Sequence, residues 1–227
     1  MRLPALLVFA PLLLNGQVEP VCSEVKSAIR AVEMARAALD PDLRSAGAVC
    51  DAPANGQKTL APFHLTHQRI FAWIDQAASG LTGRERFAVL PLAAKAAFRA
   101  GEMDAAQSLA RELLQMAPSY TRERDYGDAI YDGYSVMGRV ALHRENLPLA
   151  RQYLMNAATT PGSPAISQHG PNMMLAKELL EKGQAPAVLQ FLILCREFWK
   201  TDGGRLNAWS DAIRNHEMPD FGANLDY

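Results

Sequence analysis

A chain of 227 residues with 49% hydrophobic and 21% charged side chains is long enough to bury one continuous core, a composition that excludes a wholly disordered polypeptide. The formal net charge of -1 provides no global field to attract nucleic acid or an anionic membrane, so no nucleic-acid partner is expected and any electrostatic recognition must come from local patterning. Three cysteines, Cys22, Cys50 and Cys195, without a C-x-x-C pair or zinc-ligand spacing, point away from a cysteine metal site.

Residues Met1 to Asn15 read MRLPALLVFAPLLLN, one basic residue followed by an uncharged run from Leu3 to Leu14. This is the pattern of a secretory signal peptide, assigned to residues 1–16. The run is too short to span a bilayer, so no stable membrane span is expected after its removal, and the mature chain is expected in the periplasm or outside the cell. The alternative is an uncleaved apolar N-terminus, which leaves the protein cytoplasmic or anchored at that end. A lipid-modified Cys22 fits poorly, because Glu19-Pro20-Val21 lacks the small residues and leucine of a lipobox.

Residues 17–80 form an N-terminal helical segment expected to pack on the helices downstream of it. Ser23 can cap a helix with Val25, Ala28, Ile29, Val32, Ala35 and Leu39 at helical spacing, ended by Asp40-Pro41. The stretch 42–58, with Gly47, Pro53, Asn55 and Gly56, reads as a loop tethered by Cys50. Cys22 and Cys50 lie near turns and are the candidates for a disulfide in an oxidising compartment, whereas Cys195 lies in an apolar run and is expected to be a buried, inert thiol. A second helix spans Leu60 to Ser79, with Phe63, His67, Ile70, Phe71 and Ile74 on one stripe and Gly80 at its end. Thr82-Gly83-Arg84-Glu85 has the form of a capping box and starts another helix, which either kinks at Pro91 or restarts there.

From Phe98 to Pro118 the chain reads FRAGEMDAAQSLARELLQMAP: an apolar helix end, a turn centred on glycine, a second amphipathic helix and a stopping proline. The pattern recurs downstream. Leu90, Ala93, Ala94, Ala97, Gly101, Ala106 and Pro118 in residues 87–120, and Tyr134, Met137, Gly138, Ala141, Ala150, Ala157 and Pro161 in residues 131–164, resemble the tetratricopeptide repeat, a helical hairpin of 34 residues. Residues 169–202 resemble it more loosely, with Leu175, Ala176, Leu179 and Gly183 in place but Val188 where alanine is usual. The resemblance implies an all-α fold: a right-handed α-α superhelix of about three hairpins within residues 81–227, extended by the N-terminal helices and closed by a capping helix at 205–216 with Leu206, Trp209 and Ile213 on its apolar face. Two insertions separate the units. Tyr120 to Ile130 gathers tyrosines that either form a recognition surface or pin the insertion down, and Thr159 to Pro171 is rich in turn formers.

The resemblance also selects an inner wall. Its register puts Lys95, Arg139 and Lys177 at one position of successive first helices, Arg99 and His143 one turn along, and Phe98 and Leu142 between them as apolar floor. Tetratricopeptide proteins act as scaffolds, so the function implied is non-enzymatic binding of a protein or peptide, here an acidic segment on a basic concave face, with no cofactor. Glu181 at the corresponding place in the third unit weakens that field. The alternative is a metal-binding protein or hydrolase using His64, His67, His143 or His169, although no G-x-S-x-G, H-E-x-x-H or phosphate-loop motif occurs.

Overall fold

The computed structural model describes residues 18–34, 41–51 and 66–225. The expected signal peptide and His64 lie outside them. Among the described residues the protein is all-helical, with eleven α-helices and no strand. None of these helices is long and apolar enough to cross a membrane.

Helix α1 (Val18–Met34) buries Cys22, Val25, Ala28, Ala31 and Val32. Where a loop is expected, the chain instead forms α2 (Pro41–Asp51), which buries Leu43, Ala46 and Cys50 against α1. The reason is positional: Pro41 occupies the first turn, where its missing N–H costs nothing, and Leu43, Ala46 and Cys50 recur at helical spacing. The disulfide does form: Cys22 and Cys50 are bonded, with their Cα atoms 5.3 Å apart.

Helix α3 (His67–Ser79) is capped by Thr66, whose Oγ1 accepts from the Arg69 amide at 3.2 Å. Helix α4 (Gly83–Arg99) starts after Thr82 as expected, but the Thr82 side chain makes no capping bond. It runs through Pro91 without restarting. Helix α5 (Met103–Met116) leads into a 3-10 turn at Ala117–Tyr120, and α6 (Tyr126–His143) begins inside the tyrosine-rich insertion. The tyrosines mostly pin: Tyr120 stacks on Phe87 with ring centroids 4.6 Å apart, and buried Tyr131 donates its hydroxyl to the Asn172 carbonyl at 2.5 Å. Helices α7 (Leu147–Ala157), α8 (Pro164–His169), α9 (Met174–Glu181), α10 (Ala185–Cys195) and α11 (Arg205–Arg214) complete the chain.

Three helix pairs, α4 with α5, α6 with α7 and α9 with α10, turn in the same way. Glu102, Asn146 and Gln184 each donate their amide to the carbonyl five residues back, on Ala97, Ala141 and Leu179, at 3.0, 2.9 and 2.9 Å. That bond needs the preceding residue in a left-handed conformation, and Gly101, Glu145 and Gly183 have φ of 82°, 59° and 73°. Helix α11 ends with the same bond, from Glu217 to Ala212, with His216 left-handed.

Successive pairs pack in chain order, and two hydrophobic cores meet at α6. Ala129, Val136, Met137 and Val140 of α6 belong to the core shared with α1–α5, while Tyr131, Ala141 and Leu142 belong to the core shared with α7–α11. Two glycines set the spacing: a Cβ on Gly133 would collide with Leu114 of α5, and one on Gly138 with Leu175 of α9. At the C-terminal end Trp199, Trp209 and Phe221 are in contact in series, the first pair tilted and the second edge-to-face, with centroids 5.7 and 5.0 Å apart. Asn224 is buried there and donates to the carbonyls of His169 and Pro171 at 3.1 and 3.0 Å, which fixes the loop between α8 and α9. Cys195 is a fully buried free thiol whose pKa burial pushes well up, as its apolar setting requires.

Candidate functional site

The first helices of the three pairs, α4, α6 and α9, carry the expected basic row, but each cation already has a carboxylate beside it. Lys95 on α4 bonds Asp132 on α6 at 2.8 Å. One pair further on, the Arg139 guanidinium clasps both oxygens of Glu178 on α9, at 2.6 and 3.0 Å, while lying 4.1 Å from the centre of the Phe98 ring on α4. Lys177 reaches Glu181 on its own helix at 3.2 Å. Arg99 stands 3.6 Å from Glu24 of α1, a buried carboxylate that also meets His67 Nδ1 at 2.8 Å. Leu142 is buried rather than forming a floor, and His143 is exposed. Two of these pairs, Lys95–Asp132 and Arg139–Glu178, join consecutive first helices and the third lies within α9, so the row is not an open basic face. An acidic ligand would have to displace Asp132 and Glu178 from partly buried cations, leaving charges to be resolvated.

Beside this row lies a groove of about 450 Å³, bounded by the C-terminal end of α1, the exposed face of α4, the start of α6 and Ala165 of α8. Its apolar part comes from Met34, Phe87, Ala88, Pro91 and Leu92. Its polar wall comes from α6 and the turn before it. Asp125, Asp128 and Asp132 follow one another at spacings of three and four residues, and so stand on one face of the helix. This signal is readable in RDYGDAIYD, but only once the insertion is known to be helical from Tyr126.

The segment after α7 locks this wall in place. Thr160 Oγ1 donates to the Gly127 carbonyl at 2.6 Å, and a Cβ on Gly127 would collide with the Gly162 carbonyl, so the two backbones touch. Ser163 caps α8 by accepting from the Ile166 amide at 3.1 Å, and its hydroxyl donates to Asp128 at 2.7 Å. Burial raises the Asp128 carboxyl above the usual aspartate range, aided by Asp132 and Asp125; the Ser163 hydrogen bond and the charge of Lys95 oppose the shift. At the outer edge Arg84 meets Glu123 at 2.7 Å, which raises the one pKa and lowers the other.

The remaining histidines are scattered: His169 is an exposed residue at the end of α8, far in the fold from the His67 and Glu24 pair on α3 and α1. Among the described residues no three histidine, cysteine or acidic side chains are grouped so as to hold a metal ion. No family model, curated protein or solved structure matches the chain.

Proposed function

We propose that the chain is a non-enzymatic scaffold of tetratricopeptide type, a right-handed stack of helical hairpins that binds an extended segment of a partner protein along its first helices. The observation that carries this reading is the groove of about 450 Å³ between α1, α4 and α6, which combines an apolar side with fixed polar groups in the manner of a recognition surface. The three identical turns at Gly101, Glu145 and Gly183 support the repeat, since a stack is built by reusing one hairpin geometry. The buried Cys22–Cys50 bond, with the apolar run from Leu3 to Leu14, supports an exported and oxidising location, periplasmic or extracellular.

Site-specific photocrosslinking in the native host tests the reading. A benzoylphenylalanine placed at exposed Ala88, in the groove, is expected to give a discrete protein adduct. The same probe at exposed Gln190, on α10, is expected to give none. Adducts from Gln190 alone, or from neither position, overturn the assignment of the groove.

A further inference from the structure

The charges lining the groove are unevenly matched. Arg84 takes Glu123 and Lys95 takes Asp132, whereas Asp125 and Asp128, one turn apart at the start of α6, have no ion-pair partner among the described residues. Asp128 accepts a hydrogen bond from the neutral Ser163 hydroxyl and feels the Lys95 charge only at a distance, and it is partly withdrawn from water, where an unpaired carboxylate is costly. Asp125 is exposed at the N-terminus of α6, and its side chain makes no capping bond. The nearest apolar surface is that of α4, where Phe87 is buried and Pro91 and Leu92 are half-buried in the same groove. Carboxylates beside an apolar strip suit a side chain with an aliphatic stem and a charged head. The remaining cation, Arg30, lines the groove from α1, and its donors fit backbone carbonyls of an extended chain as well as they fit acids.

We propose that the partner segment held in this groove presents a basic side chain, arginine or lysine, with its head against Asp125 and Asp128 and its stem along Phe87, Pro91 and Leu92. This rests on the reading of the groove as a binding site and specifies its ligand. The head exchanges water for two carboxylates, one of them partly buried, so the hydrogen bonds formed are charge-assisted, and the encounter is favoured at low ionic strength. The acid-binding row anticipated from Lys95, Arg139 and Lys177 is already paired with carboxylates of the same chain, which weakens the competing preference for an acidic segment.

The test uses the full chain and random peptides of about nine residues, a length spanning roughly 30 Å when extended. The peptides are divided into four pools by a fixed central residue: arginine, lysine, glutamine or glutamate. Immobilised protein is expected to retain the arginine and lysine pools about tenfold better than the glutamate pool at low salt, with the difference collapsing at about 0.5 M salt. Retained peptides are expected to shift the amide resonances of Asp125 to Asp132 and Ala165. Asp125→Asn with Asp128→Asn, which preserves size and the acceptor for Ser163, is expected to abolish the ranking. Preference for glutamate or glutamine with shifts at the same amides overturns the basic ligand and leaves the groove as a binding site. Retention that shifts none of those amides, or no retention of any pool, overturns both. The ranking of pools on the native protein decides the matter even if the double variant does not fold.

Discussion

The N-terminal and C-terminal helices of the described chain are held by different means. At the N-terminal end α1 and α2 bury mainly small side chains, Ala28, Ala31 and Ala46 with Val25, Val32 and Leu43, and a disulfide joins them. At the C-terminal end no disulfide is present among the described residues, and Phe191, Phe198, Trp199, Trp209 and Phe221 are buried in one hydrophobic core, with the last three in ring contact. A helix that packs chiefly on one neighbour, as α2 does on α1, cannot remove enough apolar surface from water to stay docked by that alone. Crosslinking lowers the entropy of the unfolded chain instead. Large rings achieve the same closure by area.

The largest effect expected is at the aromatic end. Trp199→Ala removes a side chain 1% exposed, touching Trp209 and lying over Gly170, and is expected to cost about 3–5 kcal/mol in denaturant unfolding. A loss under about 1 kcal/mol would show that the cluster repacks and that area is not what closes this end. At the other end, Cys22→Ala with Cys50→Ala opens a loop of 28 residues and is expected to cost about 3 kcal/mol. Hydrogen exchange should then show protection lost in α1 and α2 and retained in α9 to α11. Equal loss at both ends would mean that the staple serves the whole molecule.

Between the ends, the middle hairpin supplies a smaller reference. Glu145 adopts the left-handed conformation that Gly101 and Gly183 adopt in the neighbouring turns, so Glu145→Gly is expected to stabilise the protein by about 1 kcal/mol, read as a rise in melting temperature. The smallest effect is a difference in sign between two carboxyls. The folded-state pKa of Asp128 is raised, so its contribution is fully present below the unfolded aspartate pKa and is lost as pH rises through the raised value. Glu112 is the reverse: Arg86 holds it below the usual range by two hydrogen bonds at 2.7 and 2.8 Å, and its contribution is lost as pH falls through the lowered value. Stability measured from mildly acidic to neutral pH should rise relative to the parent in Asp128→Asn, and Glu112→Gln should remove a loss on acidification.

The hairpins can be read from the sequence because their turns require a left-handed residue, and Gly101 and Gly183 advertise it. Glu145 is placed by spacing alone. Helix α2 is not readable, since Pro41 and Gly47 are breakers in most contexts and the stripe that overrides them is only two turns long. The basic row does lie on the first helices, yet its chemistry is not legible, because Asp132 and Glu178 lie 37 and 39 residues from the bases they neutralise. A one-dimensional pattern shows which charges share a helix and not which charges face each other across two. The groove is hidden for the same reason: its walls come from four separate helices.

Helix α6 has a consequence for how the molecule comes apart. It receives Leu114 at Gly133 on one side and Leu175 at Gly138 on the other, and it supplies residues to both cores. It is a party wall. Removing either neighbour uncovers an apolar face of α6, so α3 to α10 are expected to melt together, and a fragment cut on either side of α6 is expected to fold poorly on its own.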